Sequence, residues 1–392
     1  EITAGAPDAL IAGFTIREGK TALYKQGGAG VHMAAGTVSN CWIVSNSSVQ
    51  PPTRNYRFHA AGVTMNGGLV VDCLIANNVA QDYLGGRGGG VYMTAGTVRG
   101  CTVTNNIADG VDADSAGDPV ARGGGMFLDG GGLVENCVIA ANTATYGGGV
   151  YVTGEGTVRN CLIAHNRLGG GVYMNGGRVE SCTIATNIPL WWQQVSGVSI
   201  SGGGTLLNSI VWAHPQGYNH RIVLDYDPIS VSAGTVSYCV LQKSVAGTGN
   251  LVADPQFLDP ASWDFRLATN SPAIDAGQNQ PWMASSSDVD GDPRVAGGSV
   301  DIGAHEENAS SGPLRAYFSA DARLGTNSLA CNFTCQVGGS NTAGMIYSWN
   351  FGDGTVSGAL ASPHASHVYA PGLYSVALAV TNGDGQSAAA FR

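Results

Sequence analysis

One phrase recurs along the first half of the chain and fixes what it can fold into. It is clearest in Gly147 to Asn166, GGGVYVTGEGTVRNCLIAHN, and returns from Gly88, Gly123 and Gly169, with diverged copies starting at Gly27 and Ala60. The constant features are a glycine run, a short apolar alternation, a cysteine, and an asparagine five residues after that cysteine. Self-similarity at this scale marks a repeat architecture, in which each unit is one structural module stacked on its neighbours. Within a unit, Val150, Val152, Val158, Cys161 and Ile163 fall on one side of an alternation, and Tyr151, Arg159 and Leu162 on the other. That is strand periodicity broken by turns, about three short strands per unit. Strands so short cannot form a sheet within one unit and must pair with the next. The expected fold is therefore a parallel β-helix over residues 1–248, with coils ~4.8 Å apart.

Stacking turns equivalent positions into columns. Cys41, Cys73, Cys101, Cys137, Cys161, Cys182 and Cys239 form an inward column that Phe14 starts and Ser209 interrupts. As small buried residues, these thiols are expected to be free and inert. Two positions on, Ile16, Ile43, Ile75, Val103, Ile139, Ile163, Ile184, Val211 and Leu241 form an aliphatic column. Asn46, Asn78, Asn106, Asn142, Asn166 and Asn187 are expected to form an amide ladder at a tight corner, since Asn tolerates a left-handed backbone.

Composition agrees. The chain has 59 glycines and only 12% charged residues, which suits short strands and close turns. A net charge of −10 leaves no basic face for nucleic acid, and no apolar run reaches the length of a membrane span. Residue 1 already lies in repeat-like sequence and is not Met, so the chain reads as a mature or excised piece of a longer protein.

After the repeats comes a non-repeating block, 249–307, expected to cap the last coil and block edge-to-edge growth. A polar linker, 308–313, leads to residues 314–392. Their alternating strands and Gly/Asp turns suggest a small Ig-like β-sandwich, with Cys331 and Cys335 too far apart along one strand to bond each other. The whole chain is expected to be all-β.

Three stretches resemble known families. The repeats look like right-handed parallel β-helix proteins, a class that includes polysaccharide lyases, some glycoside hydrolases and surface adhesins. Asp254 to Glu306 resembles the choice-of-anchor Q domain, whose D-I-G-A-x-E signature appears here as Asp301 to Glu306, DIGAHE. Residues 314–392 resemble a PKD domain, with Trp349, Phe351, Gly352, Asp353 and Gly354 in its core motif and His367, Tyr369, Gly372, Tyr374, Val376 and Leu378 in its closing one. The resemblance implies a protein exported by bacteria and held at the cell surface or outside the cell.

The strand after each glycine run projects one outward residue per coil: His32, Thr64, Tyr92, Phe127, Tyr151, Tyr173 and Ser199. Four successive aromatic positions imply an exposed stripe suited to the rings of a glycan or to a partner protein. Insertions fall at one place, between the Asn and the next glycine run. They include Ser47 to Ala60, Ala108 to Arg122, Ile188 to Gln194 and His214 to Arg221, and they add Arg54, Tyr56, Arg57, His59, Tyr83, Arg87, Trp191 and Trp192 around the stripe. The reading this favours is an adhesive or structural surface protein that binds a polysaccharide or a neighbouring surface protein. Strand edges available for end-to-end pairing would let it assemble into a fibre.

The alternative is a polysaccharide lyase or hydrolase. Arg54, Arg57 and His59 would then supply the base, and a Ca²⁺ held by Asp109, Asp112, Asp114 and Asp118 would acidify the substrate. For hydrolysis the nearest carboxylates are Asp82 and Asp129, neither with an evident partner. Asp288, Asp290 and Asp292 have the alternate spacing of a calcium loop, but Gly291 precedes the third Asp instead of following it.

Overall fold

The computed structural model describes residues 2–4, 6–21, 29–49, 60–82, 85–110, 120–189, 195–213, 217–219, 222–224, 227–296, 298–307, 314–320, 328–338, 344–372 and 374–391. They form two compact units: one of residues 1–256 with 270–306, the other of residues 257–269 with 307–392.

The first unit is a solenoid of three parallel sheets. The first sheet holds the strands that follow the glycine runs, such as Val91–Arg99, Val150–Arg159 and Val172–Glu180. The second has nine strands from Thr15–Arg17 to Val240–Leu241, each beginning just after the Cys position. The third is built from strands that follow the ladder Asn, such as Val79–Asp82 and Ile107–Gly110. Pairing runs coil to coil in register. Ile43 lies beside Ile75, Ile75 beside Val103, Ile139 beside Ile163 and Ile163 beside Ile184. These residues are fully buried together with the valines and methionines of the first sheet.

The Asn ladder is continuous through six coils, and every member is fully buried. Asn142 shows the pattern. Its Nδ2 donates to the Val103 carbonyl (2.9 Å) and to Asn166 Oδ1 (3.1 Å), while its Oδ1 accepts from the backbone N–H (2.9 Å) and Nδ2 (3.0 Å) of Asn106. The amide thus satisfies backbone groups that the tight corner takes out of the sheet ladder. One expectation needs correcting: the left-handed residue is the one before the ladder Asn, such as Asn77 (φ 57°), Asn105 (φ 54°) or His165 (φ 56°). The ladder Asn supplies hydrogen bonds; its predecessor supplies the turn.

The ladder also explains the glycine run. The first glycine is left-handed (φ 64°, 63° and 58° at Gly88, Gly123 and Gly147). The third has no room for a side chain. A Cβ on Gly149 would lie 2.7 Å from the Gly171 carbonyl oxygen and 2.8 Å from Asn166 Nδ2.

The seven cysteines of the column are buried thiols outside any disulfide, and their column is more than packing. The Cys41 N–H points at Cys73 Sγ (3.4 Å), and the Cys101 thiol donates to the Arg99 carbonyl two residues back (3.3 Å). Ser209 keeps both roles, accepting from Cys182 N–H (3.1 Å) and donating to Leu207 (2.8 Å). Burial pushes the Cys239 thiol up to about 12 and Cys161 in the same direction, so neither offers a thiolate at neutral pH. Phe14 departs from the column: it lies in the first described coil, whose neighbouring residues are also exposed, and is itself 61% exposed.

Only the start of the block after the repeats pairs with the last coil: the Tyr238 N–H bonds the Thr248 carbonyl, Leu241 the Leu251 carbonyl, and Leu251 the Cys239 carbonyl. Asn250 Oδ1 takes the Cys239 N–H (3.1 Å) where another coil would have offered a thiol. Residues 270–306 run along the flank of the solenoid, over the coils of Asn136, Asn160, Thr183 and Asn208. Gly303 seats this block: a Cβ there would lie 2.8 Å from Ile210 and 3.0 Å from Thr183.

In the second unit, two antiparallel sheets form a sandwich. One contains Arg315–Ala320, Leu329–Gly338 and His364–Tyr369; the other contains Ile346–Asn350, Val356–Leu360, Ala377–Thr381 and Ser387–Phe391. Trp349 is fully buried at the centre among Phe318, Phe333, Phe351 and Leu378. Phe257–Asp259 and Asp264–Leu267 form a separate hairpin in the same unit.

Candidate functional site

The outward residues of the first sheet line up as the repeat requires. Tyr92 pairs in register with Phe127, Phe127 with Tyr151, and Tyr151 with Tyr173. Ring centroids are 5.5, 5.1 and 4.9 Å apart. The row is nevertheless not the open surface expected of it. Tyr92, Phe127 and Tyr151 are 6%, 2% and 7% exposed, and Tyr173, His32 and Ser199 are half-buried.

A second row folds over the first. The residue before each glycine run, Arg87, Arg122 and Tyr146, forms its own parallel bridges from coil to coil. Each side chain reaches the ring of the next coil. The Arg87 guanidinium carbon lies 5.5 Å from the Phe127 ring centre, that of Arg122 lies 5.5 Å from Tyr151, and Tyr146 packs edge-on against Tyr173. Asp129 closes the end, accepting the Tyr92 hydroxyl at 2.6 Å with Arg87 3.7 Å away. Alignment of the glycine runs one residue further back would have shown this row.

The chemistry of the cluster follows from its burial. Desolvation, reinforced by the hydrogen bond to Asp129, pushes the Tyr92 phenol far up, and desolvation raises Tyr151. These phenols keep their protons at neutral pH and are poor bases. Packed in this way, the aromatic row contributes to stability. Truncating Phe127 to Ala should cost about 3–5 kcal/mol and lower the melting temperature of the chain. An unchanged melt would return the row to the category of open surface.

The remaining candidates separate. Arg54, Tyr56, Arg57, His59, Tyr83, Asp112, Asp114, Asp118, Trp191 and Trp192 lie outside the described residues. Asp109 accepts the Gly110 N–H (2.8 Å). Asp82 is fully buried at the end of Val79–Asp82, and Asp129 is engaged by Tyr92 and Arg87.

Asp288, Asp290 and Asp292 meet the DIGAHE signature. Asp288 Oδ1 accepts the N–H of Asp290 (3.0 Å) and Asp292 (2.8 Å), and its Oδ2 accepts the N–H of Glu306 (2.8 Å). His305 Nδ1 lies 2.9 Å from Asp290 Oδ2. Ligand-type atoms of Asp288, Asp290 and His305 fall within 4.8 Å of one another, with His305 in the place expected of Asp292. Two carboxylates and an imidazole fall short of the six to eight oxygens that calcium takes. Burial raises Asp288, and the N–H groups of Glu306 and Asp292 that its carboxyl accepts pull the other way.

Behind it, Arg294 and Glu306 form an ion pair with fully buried side chains (2.7 Å). Burial works against both charges, raising Glu306 and lowering Arg294. Hydrogen bonds oppose that cost: Glu306 also accepts from Ala296 and Asp301, and Arg294 also donates to the carbonyls of Asp301 and Gly303. The signature is thus a folding device.

In the second unit, His367 stacks on Phe351 (4.3 Å, 8°) and bonds Asp353 (2.6 Å). The Thr355 hydroxyl and then His367 hold Asp353 down at about 2.

The comparisons agree with both architectures. Residues 29–219 match the family described as right handed beta helix region. Residues 320–392 match the PKD domain family. No curated protein and no solved structure matches the chain. The two matched families are consistent with an extracellular adhesive or structural protein, and no helix among the described residues is long and apolar enough to cross a membrane.

Proposed function

We propose that the chain is a surface-exposed adhesive scaffold of an exported bacterial protein. The solenoid is its stiff element, and the loops at one corner are its contact with a neighbouring surface protein or polysaccharide. The observation that carries this reading is the placement of the insertions. The loops after Val49, Gly110 and Pro189 leave the solenoid between the third sheet and the next glycine run, from strands that are in register: Val49 beside Gln81, Asp82 beside Gly110, and Leu168 beside Pro189. The sheets stay paired on either side, so the loops vary without cost to the ladder. Covering of the aromatic row moves the weight of recognition from the sheet face to these loops. The likeness of residues 254–306 to the choice-of-anchor Q domain supports placement at a bacterial surface.

The test is to replace residues 111–119 and 190–194 with short Gly/Ser linkers and measure adhesion of beads coated with the chain to bacterial surface preparations. Adhesion should fall several-fold while the melting curve stays in place. Adhesion unaffected by both replacements would overturn the reading.

A further inference from the structure

The corner just before the Cys column is left-handed in successive coils, and in five of them it carries a short amide or carboxylate, Asn40, Asp72, Asn136, Asn160 and Asn208, with Gly100 and Ser181 in between. Three of these already hold an extended piece of the chain. Asn208 clasps Gln278 in both directions, with Nδ2 to its carbonyl and its N–H to Oδ1, each at 2.8 Å. Asn136 Nδ2 reaches the carbonyls of Ser287 (3.1 Å) and Asp288 (2.6 Å), and Asn160 Nδ2 reaches that of Ser287 (2.8 Å). A side-chain amide that gives a donor and an acceptor to one residue's backbone reads peptide regardless of side chain.

Beside this comb, the outward row of the second sheet changes character along the solenoid. Ile210 and Val240 are 1% and 0% exposed, whereas Trp42 is 41% exposed and Leu74 is half-buried. Trp42 and Leu74 are register neighbours, as are Leu74 and Thr102. Where the docked block ends, Asp72, Arg99, Thr102, Asn136, Val289 and Asp290 line an open, shallow cleft of about 460 Å³. The open strip therefore continues an interface that the molecule itself uses, with the same corner geometry and an apolar shelf alongside.

We propose that the strip from the cleft to Trp42 docks an extended polypeptide segment of a partner protein. Asn40 holds its backbone as Asn208 holds Gln278, Asp72 accepts a backbone N–H or a basic side chain, and Trp42 and Leu74 take an apolar side chain. Asp72 accepts but cannot donate, so it favours a basic residue at that point of the segment. This strip lies on a different corner from the loops, and the inference stands apart from the adhesive role given to them.

Panning a phage-displayed random peptide library on the whole chain tests it. Enriched peptides should bind in fluorescence anisotropy and lose about tenfold or more in affinity on Trp42→Ala, as expected when an aromatic anchor is removed. Asp72→Ala should weaken chiefly the peptides with a basic residue. Thr102→Arg, at an exposed position, should block the cleft without touching the core, and it decides the matter if Trp42→Ala melts early. The loop-replaced chain should bind these peptides normally. The inference is overturned if no peptide is enriched or if enriched peptides bind Trp42→Ala and Thr102→Arg as they bind the parent. It is also overturned if a soluble oligosaccharide panel yields the ligand that Trp42→Ala loses.

Discussion

Replacing Arg294 with Met should destabilise the flank block by about 3–5 kcal/mol, the usual cost of stranding a buried charge. The substitution leaves Glu306 without its cation, and it leaves the carbonyls of Asp301 and Gly303 without the guanidinium. The loss should be local first, because a solenoid is stabilised largely by nearest-neighbour contacts. Amide exchange should therefore accelerate over residues 278–304 before it does so in the second sheet. Replacing both partners, Arg294→Met with Glu306→Leu, should recover much of the loss, since the desolvation cost disappears along with the attraction. A single variant within about 1 kcal/mol of the parent, outside the range for a broken buried pair, would mean that the pair contributes little.

Asn142→Ala should be comparably severe. It removes the acceptor of the Asn106 backbone N–H and the donor to the Val103 carbonyl, both fully buried, and it breaks the ladder between Asn106 and Asn166. Two orphaned backbone groups at about 1–3 kcal/mol each, together with two lost amide contacts, give about 3–5 kcal/mol. Asn142→Asp should do no better, since a carboxylate cannot donate to Val103 and would face Asn166 Oδ1. Urea denaturation followed by circular dichroism measures both variants. A midpoint near that of the parent would show that the corner carbonyls find other partners.

Much of this scaffold was legible from the repeat. The Cys, Ile/Val and Asn positions recur at fixed offsets, and strand alternation is a local property, so the spacing assigns each residue to the inside or outside. The Asn ladder, the aliphatic column and the outward row of Tyr92, Phe127, Tyr151 and Tyr173 follow from that alone. Phe14 shows where the logic stops: it occupies the column's position, but lies exposed in the first described coil.

The aromatic row was misjudged for a different reason. Facing outward is set by the residue's own strand, whereas exposure is set by whatever else the chain lays over it. Arg87, Arg122, Tyr146 and Asp129 come from other elements and cover the rings. The position of the block was hidden in the same way. Its signature is conspicuous in sequence, but the contacts that lay it on the flank pair Asn136 with Ser287 and Thr183 with Ala304, more than a hundred residues apart.

The sequence by itself determined the coil, its register and the side of the wall on which each repeated residue stands, because a period-two strand and a fixed repeat leave no freedom there. Only the tertiary structure decided which of the outward residues meet water. That depends on long side chains and a docked block whose partners are remote in the chain, and no local periodicity encodes them.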